Sequence, residues 1–187
     1  MNAPLGLKLD KAAFSAWLDR QEQRYEWKEG RVVQMTNVTK AHERIAANIL
    51  RAISERLDLD RWSVTASGLG VEGSTFIRFP DIVVEPMDND DEGRRARKVV
   101  VLVEVLSPSS VGTDFTEKLA EDTTLPTLQA YVIASQDEPI VWIWHRSSGN
   151  EFPATPVEMN GRDAQLDLSC LGVSIPLSEI YRGIRQG

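Results

Sequence analysis

Two acidic residues lie inside runs that otherwise read as buried strands: Asp81 in Phe79-Pro80-Asp81-Ile82, and Glu104 in Val103-Glu104-Val105-Leu106-Ser107-Pro108. The surrounding segments, residues 76–85 and 98–106, are rich in Val, Ile and Phe, and Pro80 is their one internal turn signal. Carboxylates rarely enter such surroundings unless they are paired, hydrogen-bonded or bound to a metal. On neighbouring strands the two side chains would converge on one hard cation. Magnesium suits such a site, because it takes few protein ligands and keeps waters and a substrate phosphate. Lys118 follows on a helix, and a lysine beside a divalent ion points to phosphodiester hydrolysis. Each acid also has a plainer reading, Asp81 as part of a strand entry and Glu104 as an exposed strand end.

Asp114 and Lys118 are four residues apart, so they share a helix face with the acid toward the N-terminus. That spacing describes an exposed ion pair worth about 0.3–0.5 kcal/mol. It equally describes an ammonium carried over the strand ends and oriented by Asp114, holding the attacking water and offsetting transition-state charge. His42 falls on the same stripe as Ile49 and Ile53 and reads as a satisfied, half-buried histidine rather than a catalytic one. His145 ends a strand with no second ligand nearby in sequence and is assigned no metal. The Arg94-Arg95-Ala96-Arg97-Lys98 cluster follows the acidic residues 88–92 and reads as a mutually screened surface loop.

The elements that must position these residues follow from periodicity. Residues 10–23 form a first helix with Phe14, Trp17 and Leu18 on one face, and residues 25–35 a hairpin turning at Lys28-Glu29-Gly30. Residues 40–57 are the clearest helix, with Ile45, Ile49, Ile53 and Leu57 every four residues and Thr39 as N-cap. Strands follow at 63–66, 76–85 and 98–106, then a short helix at 114–121 and a strand pair at 130–135 and 140–146. The tail adds two weaker strands and a helical turn after Pro176. This order implies an α/β sheet of mixed direction with helices on both faces. Trp142 and Trp144 share one side of their strand and Val141 and Ile143 the other, so both sides need cover, by helices or by a second subunit.

A chain of 187 residues fits one domain able to bury a real core. The single cysteine, Cys170, leaves no internal disulfide and no thiolate metal cluster, which favours a cytoplasmic protein. No signal peptide and no membrane-length apolar run is seen. A net charge of −7 argues against tight non-specific nucleic-acid binding but leaves room for a locally basic cleft.

Taken together, Phe79-Pro80-Asp81, Val103-Glu104-Val105-Leu106-Ser107-Pro108-Ser109, and Asp114 with Lys118 resemble the signature of the bacterial "putative restriction endonuclease" family of Uma type, within the PD-(D/E)XK nuclease superfamily. Tyr25-Glu26, Glu29-Gly30, Met35, His42 with Asn48, and the stretch from Leu125-Pro126 to Glu138-Pro139 agree with it. The likeness runs over residues 25–146 of a single domain spanning 1–187. It implies a restriction-endonuclease-like mixed sheet flanked by helices, with an N-terminal helix and hairpin as an extension. It also implies Asp81 and Glu104 as metal ligands together with the Val105 carbonyl, and Lys118 as the active-site lysine. Glu43 would face the metal from its helix in many relatives; here it reads as a solvated surface residue. The chain departs from the pattern twice: Leu106 stands where the superfamily has a lysine, and Asp122 where the family has a tyrosine. The expected function is a magnesium-dependent endonuclease, with manganese as substitute, hydrolysing DNA phosphodiesters as a homodimer joined through the Trp142 and Trp144 strand or the helix around Trp17. The alternative is a non-catalytic nuclease-fold binding or assembly protein with a vestigial site, which Asp122 and the acidic charge favour.

Overall fold

The computed structural model describes residues 7–35, 37–66, 68–88, 92–106 and 113–185, and in the third helix it describes side chains from Lys118 onward. Along the chain the elements are α1 (Lys11–Leu18), β1 (Tyr25–Lys28), β2 (Arg31–Gln34), α2 (Lys40–Ser54), β3 (Trp62–Ala66), β4 (Val71–Glu72), β5 (Phe76–Arg78), β6 (Ile82–Pro86) and β7 (Val101–Leu106). They continue with α3 (Thr113–Asp122), β8 (Ala130–Ser135), β9 (Ile140–His145), β10 (Val157–Asn160), β11 (Gln165–Leu168), β12 (Val173–Pro176) and α4 (Leu177–Ile180).

Asp10 caps α1, its carboxylate accepting from the Ala13 N–H at 2.7 Å. The helix stops at Leu18 rather than at residue 23, because Asp19 to Gln23 offer no further apolar side chain to bury. The hairpin of β1 and β2 turns where expected, through Glu29 and Gly30 at φ 47° and 84°. A two-residue turn of that kind matches the twist of its strands, and glycine enters it without steric cost. Thr39 caps α2 by accepting from the His42 N–H at 3.1 Å. Burial of Ile45, Ile49 and Ile53 then fixes the face of the helix, each side chain contributing about 1.5–3 kcal/mol.

The expected strand at 76–85 is two strands in two sheets. β5 lies in a four-stranded sheet ordered β2-β1-β5-β4, and β6 in a six-stranded sheet ordered β10-β9-β8-β7-β6-β3. Pro80 is buried and has no N–H for a ladder, so pairing lapses at Phe79-Pro80-Asp81 and the chain crosses between the sheets. In the large sheet β7 and β8 are parallel and the other pairings antiparallel. A parallel pair needs a crossover, and α3 lies in it.

Alternation splits the large sheet cleanly. Ile82, Val84, Val103, Val105, Val132 and Ala134 face α2, while Val83, Leu102, Tyr131, Ile133 and Trp144 face Leu119 of α3 and the Leu125 and Leu128 turn. Helices therefore cover both faces, as the pattern required. The tail holds three strands, not two, since β10 pairs with β9 and extends the main sheet. Trp144 is buried within its own chain and Trp142 donates to Glu158 of β10 at 2.9 Å, so the cover that β9 needed comes from this subunit. Asn48 donates to the Ile180 and Arg182 carbonyls at 2.9 and 3.0 Å and pins the tail to α2. Among the described residues no helix is long and apolar enough to cross a membrane.

Candidate functional site

Ladder geometry brings the two acids together. β6 and β7 pair antiparallel with Ile82 opposite Val103, and extending that register one residue past the ladder's end puts Asp81 alongside Glu104. Both lie at the same end of the sheet. Asp81 stands at the entry to β6, as the strand-entry reading placed it, because pairing resumes only at Ile82. Its Oδ2 accepts the Val105 N–H at 2.7 Å and lies 3.1 Å from His42 Nε2, which reaches over from the first turn of α2.

His42 is a buried histidine satisfied by Asp81, one of the two candidate acids. Burial alone would lower its pKa, but the bond and charge of Asp81, backed by Glu43 and the Val105 carbonyl, raise it. Among the described residues its other nitrogen, Nδ1, has no hydrogen-bond partner. Glu43 itself is exposed, as the solvated reading required. Asp114 lies in α3 with its side chain outside the described residues, as does the Ser107-Pro108-Ser109 segment.

Glu104 is half-buried, on the side of β7 that it shares with Leu102 and Leu106. Burial pushes it up to about 8; Lys118 opposes that rise, while Asp81, Glu26 and Asp122 add to it. The Lys118 ammonium has Glu104 as its main electrostatic partner, which raises its pKa against burial. Asp81, Glu104 and Lys118 therefore share one electrostatic neighbourhood at the sheet end.

Around them lies a network that motif reading did not find. Arg78, 3% exposed, bonds Asp122 at 3.2 Å and also Glu121, while Lys28 lies 3.7 Å from Glu121. Arg78 further reaches the Lys118 carbonyl at 3.5 Å, so β5 grips the turn of α3 that carries the lysine. Burial lifts Asp122 to about 6, with Arg78 and Lys118 holding it lower than burial alone would. The buried Tyr131 hydroxyl also acts on the Asp122 carboxylate, by charge and by hydrogen bonding. Extending the β1–β5 register by one residue places Glu26 opposite Arg78, and Glu26 acts on Arg78, Glu104, Lys118 and Asp122 alike. The signal for Arg78 was available: a charge inside Phe76-Ile77-Arg78-Phe79 is the same anomaly that drew attention to Asp81 and Glu104.

The arrangement, two opposed carboxylates with a lysine beside them on a crossover helix, has counterparts. The model of the Uma2 family, described as "Putative restriction endonuclease", matches residues 12–178. The chain belongs to that family. Among curated proteins it is 24% identical over 183 residues to "Uncharacterized protein slr1290" of Synechocystis sp., covering 95% of this chain and 93% of that one. It is 24% identical over 165 residues to "Uncharacterized protein sll1609" of the same organism, covering 84% and 92%. Its fold is similar to the crystal structure of "a putative nuclease belonging to DUF820" from Anabaena variabilis ATCC 29413, with a TM-score of 0.74 at 16% identity over 95% of this chain and 98% of that one. The family resemblance and the restriction-endonuclease-like fold expected from the motifs are both borne out.

In this Uma2 chain the donor set suits a hard divalent ion of low protein coordination. Among the described residues no three His, Cys, Asp or Glu side chains group in metal-holding geometry. Two carboxylates and a backbone carbonyl are what magnesium needs, since waters and a phosphate complete its shell. Val105 turns its N–H to Asp81, and in an extended strand its carbonyl points to the same side. The His42 imidazole lies against Asp81 beside that carbonyl.

The raised Glu104 makes a stability prediction with a definite sign. Its folded pKa of about 8 exceeds the ordinary value of 4.5, so the stability of the metal-free protein declines as pH rises from 4.5 through 8. Glu104→Gln is neutral at every pH. Urea denaturation in chelator should find it equal to wild type near pH 4.5 and more stable above pH 8. Equal stability at both pH values would remove the claim that burial dominates this carboxyl.

Proposed function

We propose that this Uma2 protein is a metal-dependent endonuclease hydrolysing DNA phosphodiester bonds. The observation that carries the reading is Asp81, bonded to the Val105 N–H just beyond the β6–β7 ladder, acting on Glu104 at the same sheet end, with Lys118 electrostatically paired to Glu104. Asp81, Glu104 and the Val105 carbonyl would hold magnesium, or manganese in its place. When bound, the ion neutralises the scissile phosphate and makes a water acidic enough to serve as nucleophile. The residues do the rest. Val105 N–H and His42 fix Asp81 Oδ2, which leaves Oδ1 as its free ligand atom. Lys118 holds the nucleophilic oxygen near the phosphorus and balances charge as the new P–O bond forms and the ester P–O bond breaks. The proton released by water goes to solvent, and the leaving oxygen is protonated in turn. Association into a homodimer belongs to the same proposal and is measured by light scattering.

Arg78 bears on the alternative of a vestigial site. Asp122, the departure that favoured it, is buried against Arg78 and faces the helix anchor rather than an open groove. The test is metal-dependent nicking of supercoiled plasmid and of single strands. Magnesium and manganese should support cleavage, and calcium should support binding with little turnover, because its looser coordination activates water poorly. Cleavage should also fall steeply with salt, as the protein is acidic overall. No nicking of any DNA with either active metal would leave the binding-protein reading in its place.

A further inference from the structure

The sheet end that carries Asp81 and Glu104 also opens a cleft that the hydrolytic site does not use. β3 pairs with β6 so that Ala66 lies opposite Ile82, which brings the exit of β3 beside Asp81. There a cavity of about 460 Å³ lies between α1 and the sheet crossing, with Ser15, Leu18, Phe79 and Arg95 on its walls and the charged Asp19, Glu72 and Arg94 also lining it. A second hollow of about 260 Å³ shares Leu18, Gly68 and Phe79 with it. Phe79 is two residues from Asp81, about 7 Å along an extended chain.

Arg95 is built into this cleft and is no member of a screened surface loop. Its guanidinium lies 5.6 Å from the centre of the Phe79 ring and bonds Ser15 Oγ at 3.2 Å and the Arg94 carbonyl at 3.0 Å. It also packs on Gly70, where an added Cβ would come within 2.7 Å of Nη1. The charges around the cleft are already matched, Arg94 with Asp19 and Lys11 with Glu72. With those charges paired off, the cleft offers the half-buried Phe79 ring and Arg95 guanidinium as flat surfaces rather than a bare cation, which suits a planar ring better than a phosphate.

We propose that this cleft receives an unpaired nucleobase next to the scissile phosphate, stacked on the Phe79 and Arg95 surfaces. The proposal rests on the nuclease reading and names its substrate class. A base inside a continuous duplex is stacked on its neighbours and must leave the helix to enter a recess. Single strands, flaps and gapped ends are therefore preferred over intact duplex.

The experiment uses a short single-stranded oligonucleotide with one 2-aminopurine, in calcium, paired with a strand in which that nucleotide is abasic. Wild type should change the probe's fluorescence and bind the intact strand about tenfold more tightly than the abasic one. Arg95→Gln should abolish that difference. Ser15→Tyr, which keeps the Arg95 side chain but gives up its Ser15 Oγ bond and fills the cleft from α1, should abolish it too. Equal binding of intact and abasic strands by wild type, or no binding of any strand, overturns the subsite. Plasmid nicking is read in parallel: nicking with no base dependence overturns the subsite alone. Base-dependent binding without nicking supports the subsite and overturns the nuclease reading.

Discussion

Lys118→Ala is expected to lower the rate of metal-dependent nicking by about 10²–10³-fold while the protein still binds magnesium. Removing a positioned charge donor from a partly water-excluded site forfeits stabilisation realised only in the transition state, so the loss falls on turnover and not on substrate affinity. The ammonium is no metal ligand, but it does hold down the pKa of one. Glu104 stands at about 8 with Lys118 beside it, and goes higher without it. Magnesium must then displace a proton from Glu104 over more of the neutral range. The two proteins should therefore be compared by calorimetric titration above pH 9, where wild-type Glu104 is ionised, as well as at pH 7, where the variant should bind more weakly. Glu104→Gln is the contrasting case, losing metal binding and cleavage together. A Lys118→Ala protein that nicks DNA like wild type would remove the lysine from the chemistry.

What the chain revealed before folding, and what it hid, divides on whether a signal is local. An acid within an apolar run is anomalous on its own, so Asp81 and Glu104 were legible. Lys118 needed the family likeness, since an i,i+4 acid–lysine pair is common on exposed helices. The hidden parts depend on partners far off in sequence. Periodicity placed His42 on the buried stripe of α2, but only the fold shows that this stripe meets Asp81 at its first turn. Glu26 enters the site because β1 pairs with β5, about fifty residues later, a pairing that no short motif encodes. Pro80 reads in sequence as a turn signal inside one strand, yet it marks the passage between two sheets. Arg95 looked screened by its acidic neighbours in sequence; its real neighbours, Ser15 and Phe79, come from α1 and the sheet crossing.

Arg78→Met should destabilise the protein by about 3–5 kcal/mol, as breaking a fully buried ion pair does. Arg78 is 3% exposed and Asp122 1%, so neither can turn to water when the other is lost. Asp122 would escape part of the cost by protonating, which its pKa of about 6 already makes easy. The loss should therefore be larger at pH 8 than at pH 5 in urea denaturation. Replacing both partners, as Arg78→Met with Asp122→Leu, should recover most of the stability, because buried pairs are often matched by apolar residues of similar volume. Activity separates the roles. Arg78 holds the turn of α3 that carries Lys118, through Glu121, Asp122 and the Lys118 carbonyl, and an apolar pair restores packing without restoring that grip. A displacement of about 1 Å in a catalytic group can cost about 100-fold in rate. The double variant should accordingly be folded, bind magnesium, and cleave far more slowly than wild type. If it cleaves at the wild-type rate, Arg78 serves stability alone and Lys118 is positioned by packing.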